Sequence, residues 1–292
     1  EDEAGELYFS DYGTDAKLYK LTENISGPVT TPVNGIGEWK SLSSGTNGII
    51  QSISSSIDGL NYIAGSFTSA GNINVSDLAT LNTIEEWASL GVDIDGTILA
   101  TAIANDGSLY IAGDFATING IEVNNIAQWN GSSWSALSSG TNGPISTLAL
   151  NENGVLFIGG VFTSAGGLNA NNISKWENNA WGLLTDNSTN ISGTNNEVRS
   201  IHIDENNTVY VGGNFDTAGG MPASRIAQWN GSNWSALGSG TSGFVQAMES
   251  LDNYLYVGGN FVLAGEETVN RIARYNKSNS TWETIGNGLS GN

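Results

Sequence analysis

The sequence predicts an all-β protein built from one repeated unit, and two recurring strings carry that prediction. The first is an aromatic residue, then Ile or Val, Gly or Ala, Gly, any residue and Phe, ending at Phe67, Phe115, Phe162, Phe215 and Phe261. The second is Trp-x-x-Leu or Trp-x-x-Ile, beginning at Trp39, Trp87, Trp134, Trp181, Trp234 and Trp282. Successive Phe positions are 48, 47, 53 and 46 residues apart. Because both strings share one period, the chain is a tandem repeat.

Each unit is predicted to contain four short strands. The first is a run of alternating apolar residues such as Ile145–Leu150, which the turn Asn151–Gly154 ends. The second strand is the run that contains the first recurring string, such as Tyr-Ile-Ala-Gly, because it is rich in aromatic and β-branched residues. Asn125–Trp129 illustrates the third, and Asn130-Gly131 forms the hairpin turn into the fourth strand at Trp134.

Helix is expected to be nearly absent, because no stretch keeps an apolar period of 3.6 residues. Short antiparallel strands repeating about every 47 residues are typical of the blades of a β-propeller, whose repeats span roughly 40 to 50 residues.

The repeat resembles the kelch-type blade. Gly258-Gly259, Arg271–Tyr275 and Trp282–Ile285 give the clearest copy, and the longer string Ile226–Gly238 resembles kelch-like repeats of secreted bacterial surface proteins and of fungal cell-polarity markers. The resemblance covers essentially the whole chain. It implies a propeller fold but specifies no activity, because propellers host many unrelated functions.

The repeats predict a single domain over residues 1–292, a six-bladed kelch-like β-propeller with four antiparallel strands per blade. Its predicted parts are a partial blade over 1–42, repeats over about 43–90, 91–137, 138–184, 185–237 and 238–285, and a tail over 286–292. In the partial blade, Leu7-Tyr8-Phe9-Ser10 is a degenerate second strand and Lys17–Leu21 is the third. Before Leu7 there is only an acidic hexapeptide, which is unsuited to a packed inner wall. The first blade is therefore expected to lack its innermost strand.

Three explanations of that missing strand are open. The natural chain continues past Asn292, the first blade has three strands, or a strand from another molecule completes it and gives head-to-tail assembly. The tail Gly286–Gly291 aligns with Gly238–Gly243, which immediately precedes a first strand. Under the third explanation, Leu7, Tyr8, Phe9 and Ser10 form the edge to which the strand adds.

Composition excludes several classes of function. The chain has 29 acidic and 9 basic residues, a net charge of −20 and a pI near 4.1. Neither Lys nor Arg occurs between Lys40 and Lys175, so no nucleic-acid partner is expected. No segment is apolar for long enough to insert in a membrane. With no cysteine and one histidine, disulfides, thiolate sites and multi-histidine sites are excluded.

No set of residues predicts catalysis or a cofactor. His202 is interpreted as a residue of a first strand that faces a neighbouring blade or the channel. Gly238-Ser-Gly240-Thr-Ser-Gly243 matches the dinucleotide pattern, but it leads into a strand and is interpreted as an inter-blade loop. Asp93 and Asp95 have the spacing of the first half of a calcium-binding loop, but the sequence lacks the carboxylate that should close such a loop. These two residues are the candidate metal ligands. The alternative interpretation is a solvated acidic turn.

The aromatic and asparagine residues leave two further questions. The faces of the nine tryptophan rings could stack on sugars, but their regular recurrence favours packing between blades. A sugar site would also need a polar partner that recurs with the ring, and the candidates are Asn130, Asn230 and Asn276. Candidate N-glycosylation sites outside the Asn-Gly-Ser turns are Asn24, Asn74, Asn172, Asn187, Asn190, Asn206 and Asn279. Asn187 and Asn190 lie in the inserted loop Thr185–Thr194, which is expected to be the most exposed feature and to hold the favoured acceptors.

The sequence thus predicts a non-enzymatic, extracellular or cell-surface structural or adhesion scaffold, secreted with its signal peptide already removed. Its expected partners are other copies of itself, joined by strand addition into filaments, and glycans. A carbohydrate-binding propeller is the alternative function, and a glycan-active hydrolase is the third.

Overall fold

The computed structural model describes residues 44–289 in full and, ahead of them, the backbone of three strands. Those strands, β1 (Leu7–Ser10), β2 (Leu18–Thr22) and β3 (Glu38–Ser41), form an antiparallel sheet in the order β1-β2-β3, which we call blade I. Asn24 lies outside the described residues.

Five four-stranded antiparallel sheets follow, one in each predicted repeat, and we call them blades II to VI. Blade II contains β4 (Ile49–Ser55), β5 (Asn61–Ser66), β6 (Ser69–Ala70), β7 (Ile73–Asn74), β8 (Leu78–Leu81) and β9 (Trp87–Ser89). Blade III contains β10 (Thr97–Ile103), β11 (Leu109–Asp114), β12 (Thr117–Ile118), β13 (Ile121–Glu122), β14 (Ile126–Trp129) and β15 (Trp134–Ala136). Blade IV contains β16 (Ile145–Leu150), β17 (Leu156–Gly160), β18 (Ser164–Ala165), β19 (Leu168–Asn169), β20 (Ile173–Glu177) and β21 (Ala180–Gly182).

Blades V and VI repeat this order. Blade V contains β22 (Val198–Ile203), β23 (Val209–Gly213), β24 (Thr217–Ala218), β25 (Met221–Pro222), β26 (Ile226–Trp229) and β27 (Trp234–Ala236). Blade VI contains β28 (Val245–Leu251), β29 (Tyr254–Gly259), β30 (Leu263–Ala264), β31 (Glu267–Thr268), β32 (Ile272–Asn276) and β33 (Thr281–Thr284). The described residues include no helix, so the all-β prediction is confirmed.

In every one of these blades the main sheet skips the two short strands, which form a separate hairpin between the second and third strands. Residues just before the first strand extend that hairpin, as in the bridge between Thr194 and Ala218. The sequence analysis did not predict the hairpins.

The first strands of successive blades contact one another from β4 through β10, β16 and β22 to β28. Four of the five apolar clusters each join residues of two consecutive blades. Phe215 and Phe261, from the recurring string, are 0% and 2% exposed. Sheets stacked face to face around a series of inner strands are the arrangement of a β-propeller, and six sheets are consistent with the predicted six blades.

Each first strand carries a β-bulge near its start. In blade VI the pairing with β29 shifts between Val245 and Ala247, and the other four first strands shift at the equivalent place. Because a bulge adds one residue to the strand, side chains three apart rather than two apart share a face. Val245 and Met248 consequently both pack on the preceding blade.

Candidate interaction surface

A tryptophan indole joins consecutive blades through a hydrogen bond. Nε1 of Trp234 donates to the carbonyl oxygen of Leu184 at 2.9 Å, and Nε1 of Trp282 donates to that of Leu237 at 2.9 Å. Trp181 donates in the same way to Leu137 at 3.0 Å. The donor is the Trp of one Trp-x-x-Leu string and the acceptor is the Leu of the preceding one. In blades IV to VI the recurring string is therefore a junction element, whereas Nε1 of Trp87 and of Trp134 has no hydrogen-bond partner among the described residues.

A small residue in the second strand makes room for the next blade. A methyl group added at Gly212 would lie 2.4 Å from Cγ1 of Val245 and 3.3 Å from Cε of Met248, both in blade VI. At Gly159 it would lie 2.4 Å from Cγ1 of Val198, in blade V. Contacts below about 3 Å cannot be accommodated without movement. The apolar side chains of a first strand, such as Val245 and Met248, thus pack against the second strand of the preceding blade. They fit there only because that strand has a very small residue at the point of contact.

The equivalent face of blade VI is open among the described residues. A methyl group added at Gly258 would meet only the carbonyl oxygen of Arg271, at 4.0 Å. Strand β29 is half-buried at alternate residues, whereas β17 and β23 are buried throughout. Tyr254 and Tyr256 belong to its half-buried set, and the guanidinium of Arg274 lies 4.1 Å from the ring centre of Tyr254.

A groove of about 460 Å³ lies at one end of this face. It is formed by Phe244, Gln246, Gly259, Asn260, Arg271 and Leu289, and we call it the blade VI groove. Its one charged residue, Arg271, has no ion pair among the described residues. In blade V the equivalent Arg225 lies 3.0 Å from Asp216, but Val262 occupies the place of that aspartate in blade VI. The groove therefore combines apolar surface with one positive charge that forms no ion pair within the described part of the chain.

Residues 286–289 follow the path that leads into each first strand. Leu289 N–H donates to the carbonyl of Asn270 at 2.9 Å, just as Thr241 N–H donates to that of Ser224 at 3.0 Å. This agrees with the alignment of the two segments in the sequence. Leu289 is one of the residues that line the blade VI groove.

The predicted strand-addition edge, Leu7–Ser10, forms one side of blade I. Its residues pair with β2 from Leu7 opposite Leu21 to Ser10 opposite Leu18. No strand pairs with its other side within the described part of the chain. In blades II to VI that side of the second strand is always taken by a first strand.

The lone histidine lies at the junction of blades V and VI, in a cleft on the opposite side of the propeller. Its Nδ1 is 3.7 Å from Oε1 of Glu249, and burial lowers the pKa of His202 below its ordinary value. Nearby, Asp204 Oδ2 accepts from the hydroxyl of Tyr210 at 3.3 Å and lies 3.4 Å from Nζ of Lys277. Burial, together with Asp204, raises the pKa of Tyr210. The Lys277–Asp204 pair connects the two blades.

This cleft does not assemble a catalytic relay. Ser250 lines it together with His202, but Ser250 Oγ and His202 Nε2 are both buried without a hydrogen-bond partner among the described residues. They are therefore not bonded to each other, as a nucleophile and its general base must be. The position of His202 between blades matches its sequence interpretation.

Of the two candidate metal ligands, Asp95 has a carboxylate that binds backbone groups of the neighbouring hairpin. Asp95 Oδ1 accepts from the N–H groups of Ala116 and Thr117 at 2.8 and 2.9 Å. These bonds, above all that from Thr117, lower the pKa of Asp95. Asn47, Asn142 and Asn195 hold the equivalent hairpins in the same way. Asp93 uses its carbonyl to accept from Asn119 N–H at 2.8 Å. Within the described residues no group of three or more His, Cys, Asp or Glu could hold a metal ion.

The glycine-rich string has two physical roles. Gly238 and Gly240 have φ of +58° and +75°, the left-handed region expected of loop glycines. Gly243 instead makes a close approach, because an added methyl group would lie 1.9 Å from the carbonyl oxygen of Asn260.

The insertion loop is less exposed than predicted. Asp186 is only 1% exposed: its Oδ1 accepts from Ser188 and Thr189 N–H, and its Oδ2 accepts from Trp234 N–H at 2.7 Å. The Thr189 hydroxyl donates to the carbonyl of Gly219 at 2.6 Å. The expectation that this loop is the most exposed feature is wrong, because a buried carboxylate and a hydroxyl hold it on blade V.

The candidate glycosylation sites fall into two groups. The exposed ones are Asn74, Asn187, Asn190, Asn206 and Asn279. Asn172 is half-buried, its Nδ2 donates to the carbonyl of Thr194 at 2.9 Å, and Ser174 of the same sequon is 0% exposed. The half-buried position of Asn172 and the buried hydroxyl of its sequon leave little room for a glycan, so the fold disfavours this acceptor.

Five tryptophans are buried in the fold, and three further described ones, Trp87, Trp129 and Trp181, are half-buried. Trp134, Trp176, Trp229, Trp234 and Trp282 are all buried. Trp229 and Trp234 of neighbouring strands contact with ring centres 5.5 Å apart. Asn130 and Asn230, the candidate sugar partners, each accept two backbone N–H groups of their own turns. These contacts favour the packing interpretation over sugar binding.

Comparison with known proteins agrees with the fold. The family model of the Rax2 C-terminal β-propeller domain matches residues 183–292, and that of the β-propeller domain of unknown function DUF5122 matches residues 104–131. The protein is therefore a β-propeller, and its residues 183–292 are similar to the Rax2 C-terminal propeller domain. Curated proteins give no match to the chain.

Solved structures extend the likeness to the whole chain. The extracellular domain of BT4673 from B. thetaiotaomicron is 13% identical, with a TM-score of 0.57 over 98% of this chain and 36% of that one. The computationally designed Ika8 protein is 15% identical, with a TM-score of 0.55 over 96% and 74% of the two chains. A chain of the Nidogen/Laminin complex is 10% identical, with a TM-score of 0.55 over 95% and 92%. Identities this low show the fold alone. The described residues include no helix that is long and apolar enough to cross a membrane.

Proposed function

We propose that this protein is a non-enzymatic extracellular scaffold whose copies join head to tail by strand addition at blade I. The observation that carries the proposal is the three-stranded blade I, whose strand Leu7–Ser10 lacks the inner partner that every other described blade has. An unpaired strand edge is a template for pairing with another chain.

Other properties support a scaffold. The net charge of −20 favours a well-solvated surface and disfavours anionic partners. In the cleft at His202, burial lowers the pKa of the imidazole, and Lys277 is paired with Asp204. An extracellular place is supported by the likeness to an extracellular domain and is tested by antibody labelling of intact cells and of the culture medium.

Assembly is tested by light scattering after size exclusion across a wide range of protein concentration, with electron microscopy of the fractions. We expect the mass to rise with concentration and rows of propellers to form. Monomers at every concentration would refute the proposed assembly.

Two double variants of the edge strand supply the control. Successive N–H groups of a strand point to opposite sides, so Leu7→Pro with Phe9→Pro and Tyr8→Pro with Ser10→Pro remove donors from opposite sides of β1. One of these variants is expected to abolish assembly and leave the monomer folded. Assembly that survives both would show that this edge is not used.

A further inference from the structure

We propose that the cleft at His202, between blades V and VI, binds a primary ammonium group, carried either by a free alkylamine or by a lysine side chain of another polypeptide. The cleft has a volume of about 230 Å³, and its walls come from blades V and VI, which are both described in full. The inference goes beyond the proposed function and does not depend on assembly.

Two buried polar atoms in this cleft carry the inference. Nε2 of His202 and Oγ of Ser250 both line it without a hydrogen-bond partner among the described residues. His202 belongs to the first strand of blade V and Ser250 to that of blade VI, so the two atoms come from opposite walls. Buried polar groups in folded proteins are almost always hydrogen-bonded, and an exception needs an explanation. A ligand that bonds to both atoms provides one.

The preceding junctions have apolar residues at the same two places. Between blades IV and V, Ala149 has the place of His202 and Ile203 has that of Ser250. Both pack against the apolar cluster that joins those blades. The corresponding pair between blades III and IV is Ala102 and Leu150. Packing alone favours an apolar pair here, so the polar pair in the cleft points to a role other than stability.

The cleft offers acceptors. Nδ1 of His202 lies 3.7 Å from Oε1 of Glu249, which favours the ring proton on Nδ1 and leaves Nε2 as an acceptor. Burial lowers the pKa of His202 from its ordinary value, and this favours the singly protonated ring that has such an acceptor. The hydroxyl of Ser250 also accepts. The ligand therefore has to supply donors.

The charge of the lining favours a cation. Four carboxylates line the cleft, those of Asp204, Glu205, Glu249 and Asp252. The one lysine of the lining, Lys277, already lies 3.4 Å from Oδ2 of Asp204. An ammonium group carries three donors and a positive charge, so it matches both the acceptors and the excess of carboxylates. A hydroxyl group would supply a donor without the charge.

A metal ion matches this cleft less well. Within the described part of the chain no group of three or more His, Cys, Asp or Glu could hold one, because metal ligands have to converge to about 2.0–2.6 Å. An ammonium group bonds to carboxylates at about 2.7–2.9 Å and tolerates a looser arrangement. The volume is below the roughly 300–1,000 Å³ usual for pockets that hold drug-sized ligands, and it suits one aminoalkyl group.

Binding is tested on the full chain with three probes. Cadaverine represents a free alkylamine and Nα-acetyl-lysine methylamide represents a lysine side chain. The control is the diol in which hydroxyl groups replace both amines of cadaverine. Because His202 is the only histidine of the chain, its ring nitrogens give one pair of NMR signals, which report the tautomer and any donor at Nε2. We expect a saturable shift of the Nε2 signal with the amines and none with the diol.

Each outcome of this titration is informative. A stronger effect of the lysine derivative assigns the site to a polypeptide partner, and a stronger effect of cadaverine assigns it to free amines. An equal effect of the diol would show that the site takes hydroxyl groups. No shift with either amine would leave the two buried atoms to water. Either of the last two results overturns the inference.

Two variants with a matched control locate the site. Glu205→Gln removes one carboxylate of the lining and should weaken amine binding severalfold. Glu152→Gln is the control, because Glu152 has the same exposed turn position in blade IV but does not line the cleft. Ser250→Ala should weaken binding about tenfold, the effect of one lost hydrogen bond to a charged group. Affinities that are the same in all three variants would place the amine elsewhere and overturn the inference.

The pH dependence supplies a readout that a purely structural role of His202 would not give. The titratable groups around the imidazole are Asp204, Glu205 and Tyr210 of blade V and Glu249, Asp252 and Lys277 of blade VI. Protonation turns Nε2 into a donor and adds a positive charge, so amine binding should weaken as the pH falls through the pKa of His202. By reciprocity the bound amine should lower that pKa further. NMR titration of His202 with and without saturating amine measures this, and an unchanged pKa would show that the amine does not bond to Nε2 and that the inference is wrong.

Discussion

At the scale of single residues, the tryptophans of blades IV to VI show how the recurring string joins one blade to the next. An indole in one blade donates to a carbonyl in the preceding blade, and that carbonyl belongs to the previous copy of the same string. The spacing of Trp and Leu therefore has to be kept from copy to copy. An acceptor left unpaired in a buried place costs about 1–3 kcal/mol, which makes these bonds significant for stability.

The first prediction compares two tryptophans of the same string. Trp234→Phe removes the bond to Leu184 and leaves that carbonyl unpaired, whereas Trp134 Nε1 has no partner among the described residues. The two side chains are 5% and 6% exposed, so the loss of packing is similar. Trp234→Phe should therefore cost about 1–2 kcal/mol more than Trp134→Phe in the free energy of unfolding. Urea titration measures both, and equal costs would show that the indole bond contributes nothing net.

Sequence reasoning identified these tryptophans as packing residues but not as donors. The reason is physical: periodicity shows that Trp234 belongs to every unit, but a donor needs a partner about 50 positions away whose carbonyl direction depends on the assembled sheets. His202 is similar. Its apolar neighbours Ile201 and Ile203 placed it on a strand between blades, and only the fold brings Glu249 and Lys277 near it.

At the scale of elements, the bulged first strand differs most from its prediction. Strict alternation describes Ile145–Leu150 poorly, because Ile145 and Leu148 are three apart. The bulge reconciles this spacing with a strand.

The short hairpins were missed for another reason: two-residue strands such as Thr217–Ala218 and Met221–Pro222 give no periodic pattern. Their recurring Ala-Gly, as in Ala218-Gly219 and Ala264-Gly265, was the available signal.

The insertion loop shows how one buried acid can hold an irregular element. Four donors, the backbone N–H groups of Ser188, Thr189 and Trp234 and the Ser188 hydroxyl, reach the carboxylate of Asp186. They lower its pKa to about 2, the Ser188 hydroxyl contributing most and Trp234 N–H next. The charged form is thereby stabilised in the folded protein.

The second prediction follows from that pKa. The unfolded chain binds a proton near pH 3.8 while the folded chain resists until about pH 2, so the stabilisation is present above pH 3.8 and is lost as the pH falls toward 2. Asp186→Asn should lower stability at pH 7, because the side-chain amide group is a donor and would face another donor, Trp234 N–H. It should also flatten the dependence of stability on pH between pH 3.8 and about pH 2. Thermal unfolding at a series of pH values measures both. A variant with an unchanged acid profile would show that Asp186 does not carry this dependence.

At the scale of the whole molecule, the described blades form a series in which blades III, IV and V are each stabilised by both neighbours. Apolar clusters join blades II to III, III to IV, IV to V and V to VI. Blade VI has only one described neighbour, and its second strand is half-buried where those of blades IV and V are buried. Stability in such nearest-neighbour arrays follows the number of interfaces each unit makes.

The third prediction is a gradient of amide hydrogen exchange along this series. Backbone amides of Leu156–Gly160 and Val209–Gly213 should exchange more slowly than those of Tyr254–Gly259, because opening blade VI breaks one described interface and opening an inner blade breaks two. Exchange followed by mass spectrometry on dilute protein resolves the three peptides. Equal protection would mean that the face containing Gly258 is covered in solution. Protection of Tyr254–Gly259 that rises with protein concentration would link the open face directly to assembly, because only association adds the missing interface.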